Sequence, residues 1–387
     1  MSTLSWIAGG VAGAIGLGVL AEFAARALLT RYGRYYVWAP GSRVRLELER
    51  STLPTLEPVA THAINTAGER GDEPPGGEGT FRVLIVGGSA AECYYLDQRT
   101  QWPSVVQDAL SRPENLARLG ARRVHVGNIA RSLVTARHVD RILERTLDRY
   151  PRLDAIVFLV GASDAVTWME HGMPQTIDEG PIPASQVFAQ HPEGPFAWTP
   201  KRAALRRIAS GLKRRVLKPV DVKERAGKRL AEVRAMRAAA TTLVRTPPDT
   251  KAMVDHFEKW FERCLVRARK KAPLVLAVRQ PWLEKSFTAE ETQWLWSYAV
   301  GRPYHQRCTT YFTHEAAWQV LRAVDRRASE VATRLDIPQL DLMPLLPKDF
   351  DTWYDEQHHT PAGCRIVGEA VARALLGARV TRDRTGR

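Results

Sequence analysis

Hydrophobic positions in this chain fall into three kinds of run. From Leu4 to Ala21 there is no charged residue, and about 18 apolar residues are enough for a helix that crosses a membrane. The run extends through Phe23 to Leu29 if Glu22 and Arg26 are tolerated, so residues 1–31 are expected to form one anchor helix. A secretory signal is the competing reading. It lacks support because Met1-Ser2-Thr3 carries no basic residue and no small-x-small cleavage site precedes a polar start. The second kind of run is short and rich in β-branched residues: 81–86, 124–126, 155–160, 273–278 and 337–342. Continuous apolarity over so few residues predicts strands buried on both faces. The third has helical periodicity, over about 102–111, 135–149, 250–270, 312–334 and 361–376.

Strands that alternate with helices predict an α/β fold: a three-layer, doubly wound parallel sheet of about five strands, flavodoxin-like in layout. Its ligands belong at the carboxyl ends of the strands. The N-terminal membrane helix precedes this domain, and a basic helical insertion interrupts it. The expected boundaries are an anchor over 1–31, a connector over 32–80, the α/β domain over 81–378 with the insertion at about 165–250, and a tail over 379–387. Residues 32–80 mix proline, glycine and charge without a sustained period, and no convincing strand is read between 165 and 250.

Composition narrows the class. The chain has 387 residues, 44% hydrophobic and 25% charged, which excludes a disordered, collagen-like or polytopic membrane protein. The four cysteines, Cys93, Cys264, Cys308 and Cys364, form no CxxC pair, so neither a zinc ribbon nor a disulfide scaffold is indicated. The formal charge of +14 is concentrated: residues 201–237 hold fourteen Lys/Arg against Asp221, Glu224 and Glu232, a local +11. That segment reads either as a solvated helical insertion or as a surface for anionic lipid. Nucleic acid is disfavoured as a partner, since residues 201–237 contain no aromatic side chain for base stacking and no helix-turn-helix or zinc finger. Arg26, Arg31 and Arg34 follow the apolar run with nothing basic before it, which by charge bias alone leaves the bulk of the chain cytoplasmic; the side of the membrane stays open.

Two short motifs carry candidate chemistry. Gly87-Gly88-Ser89 follows the first buried strand, so the turn presents the Ser89 hydroxyl at the carboxyl edge of the sheet. Asp355-Glu356-Gln357-His358-His359-Thr360-Pro361 precedes the last helix, with Thr360 as N-cap and Pro361 at the first helical position. Three-residue spacing lets Asp355 hold one imidazole nitrogen of His358 while the other takes a proton from a serine. A metal site of Asp355, His358 and His359 is an alternative, though adjacent histidines seldom point at one ion. The remaining histidines show no ligand spacing, and no cofactor motif is found. Trp282, Trp294, Trp296, Tyr298 and Tyr304 follow the fourth buried strand and are candidates to roof an acyl or sugar pocket, or to pack the insertion on the sheet.

Taken together, the strand-GGS start, "VHVGNIARSLVTARH", "DAIVFLVGASDA" and "YDEQHHTPAGCRIVGEAVARAL" resemble the SGNH (GDSL-like) hydrolases over about 81–376, the basic insertion excepted. "INTAGERGDE" at 64–73 and the Glu22/Arg26 pair resemble features of membrane-anchored members. The resemblance implies Ser89 as nucleophile, His358 as general base and Asp355 as its orienting acid. It implies an oxyanion hole of Ser89, Leu133 and Ser163, with Leu133 where the family has a glycine and Ser163 where it has an asparagine. Any non-proline residue retains its N–H, so Leu133 can still donate; a serine hydroxyl is shorter than an amide. Asp164, Asn128 and Ser132 are nearby polar residues, each with a structural role as its first reading. The implied activity is an esterase acting on an acyl ester, by analogy an O-acetylated carbohydrate. An O-acyltransferase using the same triad and a catalytically inactive, membrane-associated binding protein are the alternatives.

Overall fold

The computed structural model describes residues 3–194, 196–216 and 221–385. In chain order the elements are α1 (Thr3–Tyr32), β1 (Arg43–Leu48), β2 (Val59–Ala63), β3 (Thr80–Gly87), α2 (Ser89–Glu92), α3 (Trp102–Leu110), α4 (Pro113–Leu119), β4 (Arg123–Asn128), α5 (Ala136–Thr146) and β5 (Ala155–Leu159). They continue with α6 (Ala162–Glu170), α7 (Ala184–Val187), α8 (Ala204–Val216), β6 (Asp221–Ala226), α9 (Lys228–Ala238), β7 (Thr242–Val244) and α10 (Lys251–Arg269). The last are β8 (Leu274–Arg279), β9 (Thr310–Phe312), α11 (His314–Arg334), β10 (Gln339–Asp341) and α12 (Pro361–Thr385).

The main sheet has five parallel strands in the order β10-β8-β5-β3-β4. Period-2 alternation sends side chains from each central strand to opposite faces. Leu84, Val86, Ile156, Phe158, Val275 and Ala277 pack with α5, α6, α10 and α11, whereas Val83, Ile85, Val157, Leu159, Leu276 and Val278 pack with α3 and α12. Both faces are therefore dry, which explains why each strand reads as an unbroken apolar run. The strand order reverses between β3 and β5, and the crevice at their carboxyl ends is the ligand position of a doubly wound sheet. The Ser89 turn follows β3 and Ser163 follows β5.

Residues outside that sheet depart from the sequence reading. The segment expected to be irregular, 32–80, contributes β1 and β2, and the segment read as strand-free contributes β6 and β7. β1 pairs antiparallel with β2 and parallel with β6, so the two segments share one three-stranded sheet. These strands are three to six residues long, and β1 and β2 alternate buried positions with more exposed ones. Leu46, Leu48 and Ala60 complete their apolar face against the α3/α12 side, and only that tertiary contact distinguishes them from loop. The expected tail is helical through Thr385, and residues 386–387 lie outside the described residues.

Helix α1 is long and apolar enough over Gly9–Tyr32 to cross a membrane. Its outward side chains, such as Ile15 and Leu20, are exposed to more than half their area. Glu22 is the exception. It is buried, and its carboxylate accepts the backbone N–H groups of Ala204 (2.8 Å) and Leu205 (3.0 Å) at the start of α8, together with Arg26 Nε at 2.9 Å. A carboxylate on unpaired N–H groups caps a helix start, so α8 is fastened side by side to the second half of α1. Arg26 also lies 4.3 Å from the Trp198 ring.

Gly87 marks the closest approach of β3 to β5: a methyl there would stand 2.2 Å from the Leu159 carbonyl oxygen and 2.9 Å from Ala91 Cβ. Gly87→Ala is expected to destabilise the fold by about 1–3 kcal/mol, the usual cost of overpacking. A lowered urea midpoint at constant m-value would show it; an unchanged midpoint would contradict the close approach.

Candidate active site

Ser89 opens the four-residue helix α2 directly after the Gly87-Gly88 turn. His358 and Asp355 lie on the loop that enters α12, where the Thr360 hydroxyl accepts the Gly363 N–H at 3.3 Å. The fold brings these two distant segments together. His358 Nε2 is 2.8 Å from Ser89 Oγ, and His358 Nδ1 is 2.8 Å from both carboxylate oxygens of Asp355. Asp355 Oδ1 also accepts the backbone N–H groups of Gln357 and His358, each at 2.9 Å, and Oδ2 accepts the indole N–H of Trp296 at 2.9 Å.

Electrostatics follow from that packing. Burial alone would raise the Asp355 pKa, but the His358 charge and the hydrogen bonds from His358, Trp296 and the Gln357 amide outweigh it and hold the carboxyl below its ordinary range. Burial alone would lower the His358 pKa; the Asp355 carboxylate overcomes this and leaves the imidazole above its usual 6.5. Next in sequence, Glu356 is wholly buried and accepts the Trp296 and Ser297 N–H groups, each at 2.9 Å. Its own pKa is raised, first by burial and then by the Asp355 charge.

The residues expected at the oxyanion position flank the same turn. Leu133 takes φ +63°, the left-handed region that glycine occupies freely, with its side chain 68% exposed. Its loop is fastened immediately before it: the Arg131 N–H donates to the Gly87 carbonyl at 3.1 Å, and the Ser132 N–H and hydroxyl both donate to the Glu92 carboxylate. Ser163 sits against Gly88, where a methyl would come 2.9 Å from its Oγ. The other polar neighbours are tied into the scaffold. Asp164 accepts the Ala136 N–H with both oxygens at 3.1 Å, linking α6 to the start of α5, and burial pushes its pKa up to about 7. Asn128 Nδ2 donates to the Ala91 carbonyl at 2.8 Å.

These positions bear on two alternatives raised by the sequence. Asp355, His358 and His359 do not converge: the His359 ring packs on Trp353 at 4.4 Å with neither nitrogen hydrogen-bonded, and no cluster of three metal-ligating side chains occurs among the described residues. Of the aromatic group after the fourth strand, Trp282 and Tyr298 belong to the core, and Trp294 covers Arg234 at 5.3 Å. Trp296, which touches Asp355, and Tyr304, which meets the Trp296 ring at 5.3 Å, are the members of the group at the site. Tyr354, unforeseen, stacks within 9° of parallel on the His358 ring at 5.5 Å, and Tyr95 meets Tyr354 at 6.1 Å.

Sequence reasoning also missed a contribution from the basic segment. Arg234, on α9, is buried and donates to the carbonyls of Thr52, Trp294 (3.0 Å) and Tyr354 (3.3 Å). Arg237 donates to the Ser297 carbonyl at 2.5 Å. Arg234 and Arg237 are therefore turned inward to brace the loops around Asp355, while Arg225, Lys228 and Arg229 are exposed, and nothing in a run of fourteen cations marks the inward two. A cavity of about 210 Å³ lies at the opposite, amino-terminal end of the strands, lined by residues that include Arg82, His125 and Arg149; none of its lining residues belongs to the triad.

No family model matches the sequence, and no curated protein matches it. Among solved structures the chain is similar to Axe2, an acetylxylan esterase from Geobacillus stearothermophilus, with 11% identity and a TM-score of 0.40 over 76% of this chain and 94% of that one. It is likewise similar to LAE5, an α/β hydrolase enzyme from the metagenome of Lake Arreo, Spain, with 11% identity and a TM-score of 0.39 over the same shares.

The raised His358 value has a definite sign: the neutral imidazole that accepts a proton prevails only above its pKa. In an NMR titration His358 is expected to titrate above 6.5. In Asp355→Asn, burial loses the largest charge opposing it, so the titration should move to lower pH. An unmoved midpoint would show that Asp355 does not set the imidazole.

Proposed function

We propose that this protein is a membrane-anchored serine esterase of the SGNH type, and the observation that carries the reading is the 2.8 Å contact between Ser89 Oγ and His358 Nε2, backed by Asp355. In this reading Ser89 Oγ attacks the carbonyl carbon of an acyl ester while His358 Nε2 takes its proton. The tetrahedral oxyanion is met by the N–H groups of Ser89 and Leu133 and by the Ser163 hydroxyl. His358 then gives the proton to the departing alcohol, leaving an acyl-Ser89 ester. Water, deprotonated by the same imidazole, attacks that ester and restores the serine.

The altered positions bear differently on turnover. Leu133 already has the backbone conformation that a glycine would supply, so its N–H is retained as a donor. Ser163 offers one short hydroxyl in place of an amide, and losing an oxyanion donor costs roughly 100- to 1000-fold in kcat. That substitution favours the second reading, a protein with weak or no turnover that retains binding. The half-buried Tyr95, Trp296 and Tyr304 beside the dyad support an O-acylated carbohydrate as substrate, because aromatic faces pack well on sugar rings.

For the anchor, the reading places residues 4–21 in the bilayer, because that run carries no charge and Glu22, the first charged residue after it, is engaged with α8. Trp198, 58% exposed beside the anchor, and Lys201, Arg202 and Arg206 at the start of α8 support contact with anionic headgroups. Each basic residue so placed is worth about 1 kcal/mol.

A serine-directed phosphonate is expected to label wild-type protein once, on Ser89, and to leave Ser89→Ala and His358→Ala unlabelled; a folded wild-type protein that resists labelling would overturn the enzyme reading. Ser163→Asn should raise hydrolysis of a short-chain aryl ester, by up to about 100-fold if an oxyanion donor is restored. An equal or lower rate would remove Ser163 from the oxyanion hole. The full chain should remain in the membrane fraction after alkaline carbonate washing, and a chain lacking residues 1–21 should not; a full chain found in the supernatant would refute the anchor.

A further inference from the structure

The helix that begins with Ser89 is only four residues long, so its last carbonyls have no partners within the helix. Side chains supply them. The Trp102 indole N–H donates to the Ala90 carbonyl at 3.0 Å and Asn128 Nδ2 to the Ala91 carbonyl at 2.8 Å. Arg70 takes the rest: Nη1 donates to the Glu92 carbonyl at 2.6 Å and the Cys93 carbonyl at 2.9 Å, and Nη2 to the Leu96 carbonyl at 2.6 Å. Its Nε reaches Gln98 Oε1 at 3.2 Å. The segment so held includes Cys93 at φ +53°, a left-handed conformation disfavoured for a side chain with a Cβ.

Arg70 is itself fixed. Its backbone exchanges hydrogen bonds with Asn128 at the end of β4, N–H to O at 2.9 Å and O from N–H at 3.1 Å. The side chain is 1% exposed. A cation without water must be repaid by close partners, and here these are the carbonyl dipoles that leave the nucleophile turn, with the Glu92 charge nearby. The planar fork suits several carbonyls at fixed angles, which an ammonium on a flexible stem does not.

We propose that Arg70 is a positioning residue for the nucleophile: by clamping the carbonyls of Glu92, Cys93 and Leu96 it fixes the α2 turn so that Ser89 Oγ stays within hydrogen-bond reach of His358. The inference rests on Ser89 being the nucleophile, and it assigns to 64–73 a part in turnover that a connector lacks. Arg70 touches neither substrate nor the reacting atoms; it acts through the main chain of α2.

Full-length protein in detergent provides the test, after wild-type labelling at Ser89 by the phosphonate has been established. Failure of that first step removes the esterase reading and not this one alone. Arg70→Ala, judged folded by circular dichroism, is expected to lose about 100-fold in kcat on an aryl ester with KM little changed, the scale of a misplacement of roughly 1 Å. Its phosphonate labelling should slow in parallel, and methylguanidinium should restore kcat saturably. Arg70→Lys keeps the charge with fewer aligned donors and is expected to fall between wild type and Arg70→Ala. Wild-type kcat per folded molecule in either variant would overturn the proposal, as would loss of kcat in Arg70→Ala that methylguanidinium leaves unchanged. Should Arg70→Ala not fold, the kcat of Arg70→Lys decides alone.

Discussion

The charge on Asp355 is the constraint around which the site is assembled. An ionised carboxylate cut off from water costs several kcal/mol unless donors replace its hydration, and Asp355 is 2% exposed with a second carboxylate, Glu356, directly after it. Three N–H donors and the His358 imidazole surround the first; the main chain of Trp296 and Ser297 satisfies the second. Holding that main chain in place requires Arg237 on the Ser297 carbonyl and Arg234 on the carbonyls of Trp294 and Tyr354. A segment that looks like an accessory in the linear chain is thus joined to the site through buried cations, because a buried anion pair needs rigid surroundings.

How much of this was legible in the sequence follows from the distance over which each feature is determined. The five parallel strands are dictated locally: burial on both faces demands continuous apolar runs, and 81–86 and 155–160 could take few other forms. Strands β1, β2 and β6 are dictated by each other, and half their positions are polar, so the pairing of Arg43 with Asp221 leaves no mark on either segment alone. The contact of Ser89 with His358 and Asp355 could be anticipated because each half has a local signature, a strand-to-helix turn and a capped helix entry. Trp296, 59 residues from its partner Asp355, and Arg234, 120 from Tyr354, have none.

In the proposed oxyanion hole, Leu133 and Ser163 are unequal, because the donor would belong to the main chain in one and to the side chain in the other. At Leu133 the peptide N–H is common to all residues but proline, and the only demand on the side chain is tolerance of φ +63°; loop contacts through Arg131 and Ser132 hold that conformation. At Ser163 the reach and geometry of the side chain would themselves be the function, and two neighbouring polar groups are engaged elsewhere. Asp164 is committed to Ala136 and Asn128 to Ala91.

The union of Glu22 with the first turn of α8 has a mechanical consequence. An apolar helix joined to a globular body by a single strand of chain would let that body swivel and tilt. Here eleven residues, 22 to 32, run beside a second helix before the body begins, a rise of about 16 Å at 1.5 Å per residue. On the proposed anchoring, with residues 4–21 immersed, the α/β body would be carried at a set height and in a restricted orientation, as on a braced post. Its reach would then be defined by geometry: the proposed esterase would work on ester groups presented in a layer at that distance from the bilayer, and those lying flat on the lipid surface would fall beneath it.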